Sequence, residues 1–369
     1  MAAPPPLGLE AVGENPAFLW GMTSDERLRR IARTLGLGEA QGAQRILANL
    51  HYVFDPSWLS WIAERPGHVV TRDGVPVLAH CVDGESAERI RAAMAASRPA
   101  AAPGLVQVAQ ESFGERHDRQ LRKREQPFIE RLEPDSARAI ERRTYYAAYK
   151  GVTDLLTKYL WPEWALFLTR QAARFGMSPN AVTFLGALFC IAAGLAFHEG
   201  FYWPGLAAAL AFMILDTVDG KLARCTITSS KLGDAFDHGI DLVNPLIWWW
   251  AWGMGLAAYG HPLDPETFRI VMAALVAGYV VQRVIEGLFI IWFRIHIHVW
   301  ERLDTRFRLV TARRNPNMVL LFLSLIVARP DIGLLAIAAW TLLSCLFHLV
   351  RIAQARLSRA PITSWLERL

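Results

Sequence analysis

Long apolar segments in the C-terminal half of the chain constrain its fold more than any other feature of the sequence. They lie at about Val182–Phe197, Trp203–Val218, Leu242–Tyr259, Ile270–Phe293, Met318–Ala328 and Ile332–Val350. A helix needs about 20 mostly apolar residues to cross a bilayer, and most of these segments approach that length, although the fifth is short. We therefore predict an all-α bundle of six transmembrane helices rather than the buried helices of a soluble protein.

Basic residues in the loops predict the orientation of this bundle. Lys and Arg cluster after the second, fourth and sixth segments, whereas residues 198–202, between the first two, include neither. Cytoplasmic loops of membrane proteins carry the excess of basic residues. We expect an integral protein of a bacterial inner membrane, with both termini and the even-numbered loops on the cytoplasmic side. Arg269 and Arg329 are the exceptions, one in each of two outer loops.

The N-terminal half is charged and mixed in composition, which predicts a separate cytosolic region. Residues 1–17 are rich in Pro, Gly and Ala and are predicted to be disordered. Residues 18–112 predict a small α/β domain, because Ser24–Leu35 has helical spacing and His68–His80 resembles two strands around an Asp73-Gly74 turn. Residues 113–158 predict a basic helical linker, either solvated or near anionic lipid. The membrane domain then covers residues 159–352, and residues 353–369 form a cytosolic tail.

The segment before the first span is predicted to lie in the membrane interface. Tyr159–Phe175 combines Trp161 and Trp164 with Arg170 and Arg174, and this mixture of aromatic and basic residues suits an interfacial helix. The N-terminus has no basic segment followed by an apolar core, so we expect no cleavable signal peptide. The four cysteines are far apart in sequence and indicate neither a metal site nor a disulfide framework.

Acidic residues at regular spacing surround the end of the second apolar segment. Positions i, i+3, i+4, i+7 and i+8 share one helix face and are occupied by Asp216, Asp219, Gly220, Ala223 and Arg224. Gly233, Asp237 and Asp241 follow at intervals of four, again on one face. A short polar turn between the two helix ends would bring four carboxylates together at the cytoplasmic boundary of the membrane.

Chemistry favours a metal site for this acidic set. Carboxylates in a partly desolvated space repel one another unless they are paired, whereas hard divalent cations such as Mg²⁺ and Mn²⁺ prefer oxygen ligands. A metal so held would bridge to phosphate oxygens, and Arg224 offers a second phosphate partner. Small residues on the same faces leave room for a nucleotide. The alternative is that single residues serve as turns, packing positions or caps. Asp234, on the flank of the face, is interpreted as a solvated residue or a cap.

The pattern resembles the signature of the CDP-alcohol phosphatidyltransferase family. The signature runs from Asp216 to Asp241, and every one of its positions is present. It consists of Asp-x-x-Asp-Gly-x-x-Ala-Arg, eight further residues and then Gly-x-x-x-Asp-x-x-x-Asp. Ser178–Thr183 resembles the Pro-Asn-x-x-Thr element at the start of the family's first span. The resemblance covers about Tyr145 to Val350.

This resemblance implies a reaction and a role for each matching residue. The family moves a phosphoryl-alcohol group from a CDP-alcohol, here expected to be CDP-diacylglycerol, to an acceptor alcohol in phospholipid biosynthesis, with attack on the β-phosphorus and release of CMP. Mg²⁺ or Mn²⁺ would be bound by Asp216, Asp219, Asp237 and Asp241, with Asp241 also the general base. The CDP part would contact Asp216, Asp219, Gly220, Ala223, Arg224, Gly233, Asp237, Pro179, Asn180 and Thr183. The family also implies a homodimer.

Arginines outside the signature are candidates for binding the acceptor. Arg283 lies in the fourth span, and Arg313 and Arg314 lie in the loop after it. Charged residues inside a membrane are functional candidates by default. The alternatives are a self-contained ion pair of Arg283 with Glu286, and either contacts with anionic lipid or solvated loop charges at the other two positions. No shared motif encodes the identity of the acceptor.

The N-terminal domain resembles a shortened, degenerate nucleotidyltransferase, mainly at Asp73–Leu78. No Gly-rich phosphate-binding loop followed by a basic residue occurs near its start, so we expect no cytidylyltransferase activity; a regulatory or oligomerisation role is the alternative.

Two interpretations of the whole chain compete with the enzyme. A transporter would need an inverted repeat, and none is found in the sequence. In a non-catalytic membrane anchor for the cytosolic domain, the aspartates would be dispensable. No nucleic-acid partner is expected.

Overall fold

The computed structural model describes residues 7–40, 42, 44–100, 103–229 and 231–368, without the side chains of residues 231, 232 and 234–238. An N-terminal α/β region precedes a helical C-terminal region. The strands are β1 Gly8–Val12, β2 Gly38–Glu39, β3 Arg45–Asn49, β4 Tyr52–Phe54, β5 His68–Arg72, β6 Val75–Cys81, β7 Val106–Ala109, β8 Arg116–Asp118, β9 Lys123–Glu125 and β10 Ile129–Arg131. The first four helices are α1 Ser24–Thr34, α2 Pro56–Ala63, α3 Gly84–Ala95 and α4 Ala137–Ala147.

A mixed six-stranded sheet forms the centre of the N-terminal region, in the order β2-β1-β3-β6-β5-β7. Along β3, Ile46 and Ala48 contribute to the apolar cluster under α1 and α2, whereas Leu47 belongs to the cluster under α3. This alternation follows from the period of two in a strand and gives the sheet two buried faces. The small α/β domain is therefore present, and the predicted hairpin is the antiparallel pair β5–β6.

Residues 8–12 are ordered, contrary to the predicted disorder of residues 1–17. Residues 8–12 form β1, which pairs in parallel with β2 and β3, and Val12 is buried against the α3 side of the sheet. Gly8 suits the close pairing with β2, because a Cβ at this position would lie 2.2 Å from the Ala40 Cα. Residues 1–6 lie outside the described part of the chain.

The prediction of one basic helical linker is also wrong. The Arg-rich stretch forms the antiparallel hairpin β8–β9, then β10, and only then the helix α4, which is followed by a π-helical turn at Leu156–Leu160. β10 pairs with β4, and its Ile129 is completely buried in the cluster under α1 and α2. Burial in tertiary structure therefore overrides the helix-favouring composition of this segment.

The helical region begins with a helix at the predicted interfacial position. The remaining helices are α5 Pro162–Arg174, α6 Pro179–His198, α7 Tyr202–Cys225, α8 Lys231–Tyr259, α9 Pro265–Phe293, α10 Arg302–Arg308, α11 Arg314–Ile326 and α12 Pro330–Leu357. α5 exposes Trp164 and Phe167 while burying Ala165 and Leu166 on its other face. This two-sided burial is compatible with an interfacial helix, and its depth in a membrane stays a prediction.

Six of these helices coincide with the six predicted apolar segments, namely α6, α7, α8, α9, α11 and α12. Among the described residues, α6, α9 and α12 are long and apolar enough to cross a membrane. These three helices make the chain an integral membrane protein, and the number of six spans stays a prediction. α8 packs tightly against the α6–α7 turn, since a Cβ at Gly255 would lie 1.9 Å from the Phe197 carbonyl oxygen.

Candidate active site

Two halves of the acidic signature lie on neighbouring helices and meet at one arginine. α7 carries Asp216, α8 carries Asp241, and Arg314 is the first residue of α11. Arg314 Nη2 lies 2.8 Å from Asp216 Oδ2, and its Nη1 lies 2.6 Å from Asp241 Oδ1. The Arg314 side chain is only 9% exposed. A single buried guanidinium thus holds carboxylates from both halves of the signature.

Asp219 is buried and faces α6. Thr183 Oγ1 lies 2.7 Å from Asp219 Oδ2, and the Gly220 amide donates to Oδ1. α6 starts at Pro179, with the Ser178 side chain as its N-cap. The Pro-Asn-x-x-Thr element therefore reaches the signature through Thr183, while Pro179 and Asn180 lie in the first turn of α6.

Two basic residues of α7 are oriented by the end of α4. Arg224 Nε donates to the Ala148 carbonyl oxygen at 3.1 Å, and Lys221 Nζ donates to the same oxygen at 3.0 Å. Lys221 Nζ also lies 3.2 Å from the centre of the Tyr149 ring. Carbonyl groups at a helix C-terminus attract cations, so the end of α4 fixes the direction of Arg224.

Small residues of the signature lie beside these charges. A Cβ at Gly220 would lie 3.2 Å from Arg224 Nη2, which is closer than most side chains approach. Ala223 on α7 and Gly233 near the start of α8 are half-buried. Asp237 lies in α8, but its side chain is outside the part of the chain that the structure describes.

A cavity of about 520 Å³ opens beside the signature. Among the predicted site residues, its wall includes Asp216, Gly220, Arg224, Asp241, Arg283, Arg313 and Arg314. Within the described residues, the wall does not include Asp219, Ala223, Gly233, Pro179, Asn180 or Thr183. The candidate acceptor arginines therefore share one cavity with part of the signature.

The end of the cavity away from Asp216 is strongly basic. Glu286 on α9 accepts hydrogen bonds from Arg283 Nη2 at 2.8 Å and from Arg313 Nη2 at 2.6 Å. Arg122 and Arg308 line the same cavity. In the described residues, each of these four arginines has a buried guanidinium nitrogen without a hydrogen-bond partner. Four guanidinium groups thus lie near the two carboxylates of Glu286 and Asp154, and an anion would offset their remaining charge.

Burial and repulsion between like charges perturb the ionisable groups at this basic end. Burial, followed by the charge of Arg313, lowers the pKa of Arg308 to about 9 and that of Arg122 to about 10. Burial, followed by the charge of Arg122, lowers the pKa of His296 to about 4. Near neutral pH these arginines are cations and His296 is neutral, so a bound anion would relieve the repulsion.

Two groups of side chains in the region have the composition of a metal site, and they differ in how many arginines neighbour their carboxylates. Asp216, Asp219 and Asp241 provide oxygen donors, and two of these carboxylates already share the positive charge of Arg314. The ligand atoms of Glu286, His298 and His348 lie within 4.8 Å of one another. Because Glu286 is already paired with two arginines, a metal bound there would face their repulsion.

Residues that no sequence pattern indicated support this cavity from outside the signature. Asp154 is buried, accepts from the Thr157 amide at 3.0 Å, and accepts from Asn315 Nδ2 at 3.2 Å, next to Arg314. Arg122 reaches the cavity from the β8–β9 turn, where its φ is 53°. The sequence holds no local signal for Arg122, because many arginines crowd that segment.

The helical region is similar to known proteins. Residues 176–345 match the family model of the CDP-alcohol phosphatidyltransferases. Cholinephosphotransferase 1 of Gallus gallus is 33% identical over 124 residues, which cover 31% of this chain and 36% of that protein. A phosphatidylinositol phosphate synthase of Mycobacterium marinum is 32% identical over 94 residues, covering 24% of this chain and 40% of that protein. The chain thus spans less than half the length of these curated relatives.

Solved structures give a more distant likeness. A phosphatidylinositol phosphate synthase of Mycobacterium tuberculosis, in complex with manganese and citrate, superposes with a TM-score of 0.41 at 17% sequence identity. The superposition covers 53% of this chain and 93% of that one.

Proposed function

We propose that residues 176–345, a CDP-alcohol phosphatidyltransferase domain, transfer the phosphatidyl group of CDP-diacylglycerol to an acceptor alcohol and release CMP. The reaction would use Mg²⁺ or Mn²⁺ and belong to phospholipid biosynthesis. The observation that carries the proposal is the meeting of Asp216 and Asp241 on one guanidinium at the wall of a cavity of about 520 Å³. The same cavity offers basic groups for phosphate and acidic groups for metal and proton transfer.

The acidic signature is proposed to hold the metal through Asp216, Asp219, Asp237 and Asp241. When bound, the metal would supply positive charge that offsets the charge developing on the diphosphate. Arg224 is proposed to pair with a phosphate, its direction being set by the Ala148 carbonyl. Gly220, Ala223 and Gly233 would let the CDP part approach the backbone, with Pro179, Asn180 and Thr183 closing the nucleotide pocket from α6.

Asp241 is the proposed general base. Its side chain is 46% exposed and lines the cavity, and its hydrogen bond from Arg314 fixes its direction. It would take the proton from the acceptor hydroxyl while that oxygen forms a bond to the β-phosphorus. The bond from this phosphorus to the bridging oxygen breaks, and its electron pair leaves with CMP. A positioned base of this kind contributes about 10²–10⁴ in rate.

The basic end of the cavity supports an acceptor that carries a negative charge. Four arginines line this end of the cavity beside Glu286 and Asp154, and one multi-oxygen anion could bind several unpaired guanidinium nitrogens at once. Arg283 and Arg313 are proposed to bind this anion, with Arg314 linking it to the reacting carboxylates. A phosphorylated alcohol is therefore preferred over its neutral counterpart.

The membrane arrangement completes the proposal. We place six spans at α6, α7, α8, α9, α11 and α12 in a bacterial inner membrane, with the active site and both termini in the cytoplasm and α5 in the interface. The basic residues that follow α7, α9 and α12 support this orientation. The active form is proposed to be a homodimer, with the N-terminal region as a cytosolic domain without cytidylyltransferase activity.

CMP release from CDP-diacylglycerol tests the reaction directly. The purified protein is assayed in detergent with Mg²⁺ or Mn²⁺, with Asp241→Asn as the test variant and Asp234→Asn as the matched control on the same helix. Loss of the base should lower turnover by about 100-fold or more, whereas Asp234→Asn should retain most activity. Equal turnover of the wild type and Asp241→Asn would contradict the proposal.

Paired acceptors test the predicted charge of the second substrate. Inositol phosphate is compared with inositol, and glycerol phosphate with glycerol, at the same salt concentration. A phosphorylated acceptor should support faster CMP release than its neutral partner, and high salt should reduce that advantage because it screens the arginines. Preference for a neutral acceptor in both pairs would overturn the assignment of the basic end.

A further inference from the structure

The N-terminal region contacts the acidic signature at the C-terminal end of α7. Arg27 on α1 is 6% exposed, and its Nη1 donates to the Cys225 carbonyl oxygen at 3.0 Å. Arg30, one turn later on α1, donates from Nη1 to the Thr226 carbonyl oxygen at 2.7 Å. Cys225 is the residue directly after Arg224, so these contacts touch the signature helix itself.

These two arginines complete the hydrogen bonding of the helix end. The last carbonyl groups of a helix have no partner within it and must be satisfied from outside or by a capping turn. The Thr228 amide donates to the Ala223 carbonyl at 2.8 Å and the Ile227 amide to the Arg224 carbonyl at 3.4 Å. This pair of bonds is a Schellman turn. The next two carbonyls, of Cys225 and Thr226, are the ones that Arg27 and Arg30 bind.

Ile227 shows that the turn depends on the N-terminal region. Its φ is 55°, a left-handed conformation that favours glycine and is strained for a β-branched residue. Its side chain packs against the apolar cluster under α1 and α2, which belongs to the N-terminal sheet. Burial in that cluster offsets the strain. Contacts with the N-terminal region therefore hold residues 225–227 in addition to the hydrogen bonds of the capping turn itself.

We propose that the N-terminal α/β region positions the acidic signature, with Arg27 and Arg30 as positioning residues and Ile227 as the anchor. The segment that they hold joins α7, which carries Asp216 and Asp219, to α8, which carries Asp237 and Asp241. Its conformation therefore sets how α7 ends, directly after Arg224 of the signature. The inference rests on the proposed metal-dependent transfer, and it gives the N-terminal region a role in that reaction that needs no activity of its own.

The metal requirement of the enzyme is the measurement that separates positioning from mere stability. Misplaced carboxylates bind metal more weakly, whereas partial unfolding lowers the amount of active enzyme without changing its metal affinity. The Arg27→Ala/Arg30→Ala double variant should need about tenfold more Mg²⁺ for half-maximal CMP release, the usual scale for residues that orient ligands. Arg29→Ala is the matched control, because Arg29 is exposed on the same helix and pairs with Asp25.

Conservative and anchor variants extend the test. Arg27→Lys keeps a charged donor and should restore part of the metal affinity. Ile227→Gly relieves the left-handed strain but removes the anchor, so it should fold and still raise the Mg²⁺ requirement. A Mg²⁺ requirement within twofold of the wild type in both Ile227→Gly and the double variant would overturn the proposal.

Hydrogen exchange tests the contact independently of catalysis. The amides of Thr226, Ile227 and Thr228 are bonded within the capping turn and should exchange about tenfold faster in the double variant and in Ile227→Gly than in the wild type or Arg29→Ala. Unchanged exchange would contradict the positioning role even if the enzyme is active. A wild type without CMP release would instead contradict the proposed function, while the exchange experiment would still decide whether α1 holds the turn.

Discussion

The two ends of the cavity differ in how their residues are distributed along the chain. At the acidic end, Asp216 and Asp241 belong to one signature carried by two consecutive helices. At the basic end the arginines come from four separate segments, namely the β8–β9 turn, α9, α10 and the residue before α11. The acidic end is therefore a local pattern that sequence can display, whereas the basic end exists only after folding. Chemistry common to a family can be encoded locally, and a substrate-specific surface can be assembled from distant positions.

The largest expected effect comes from Arg314, which contacts the acidic carboxylates while its neighbour Arg313 contacts Glu286. Arg314→Gln leaves two carboxylates facing each other without their shared cation. We expect the free energy of unfolding to fall by about 3 kcal/mol, the lower end for breaking a buried pair because Asp241 is partly exposed. Turnover should fall by about 100-fold. Thermal unfolding in detergent and CMP release measure the two effects.

Arg329→Gln provides the control for Arg314→Gln, because Arg329 pairs with Asp331 and is 46% exposed at the start of α12. Its loss should leave the free energy of unfolding close to the wild-type value, because exposed ion pairs contribute little. Added Mg²⁺ should stabilise Arg314→Gln more than the wild type, since a metal can replace the missing positive charge between the carboxylates. The absence of stabilisation by Mg²⁺ in both proteins would contradict metal binding at the acidic end.

An intermediate effect is expected from Arg308, which belongs only to the basic end. Arg308→Gln should raise the KM for a phosphorylated acceptor by about tenfold or more, because a charge-assisted hydrogen bond contributes about 1.5–3 kcal/mol. The KM for CDP-diacylglycerol should stay unchanged, which would show that the two ends serve different substrates. Steady-state kinetics with each substrate varied in turn makes the measurement. Arg306→Gln is the control, because Arg306 is exposed on the same short helix, and it should leave both KM values unchanged. If Arg308→Gln raised both KM values in parallel, the two ends of the cavity would not serve different substrates.

Sequence reasoning succeeded where periodicity or spacing was involved and failed where contacts between distant segments decide. The apolar segments located the six long helices of the C-terminal region, and the hairpin around Asp73-Gly74 was found from its turn. Residues 8–12 and the Arg-rich stretch were predicted wrongly, because pairing with β3 and β4 determines their structure. Arg283 was recognised as a candidate from its position in an apolar segment, whereas Arg122 and Asp154 became visible only in the fold.

Tyr279 lies between the two ends and should show the smallest effect. Pro245 has no amide hydrogen, so the Asp241 carbonyl four residues earlier lacks its usual helical donor. The Tyr279 hydroxyl lies 3.3 Å from that carbonyl oxygen and donates to the Leu242 carbonyl at 3.1 Å, while the ring lies 5.2 Å from the Arg283 guanidinium carbon. Tyr279 therefore connects the backbone that carries the proposed base to the basic end of the cavity.

Tyr279→Phe should lower the free energy of unfolding by about 1 kcal/mol, because it removes a buried hydrogen bond to these carbonyls. A double-mutant cycle with Pro245→Ala identifies the cause. Alanine at position 245 restores an amide donor for the Asp241 carbonyl, so Tyr279→Phe should cost less in that background than in the wild type. Equal costs in the two backgrounds would mean that the hydroxyl does not compensate for the proline. The backbone at Asp241 would then be held by α8 alone, and the two ends of the cavity would be independent at this point.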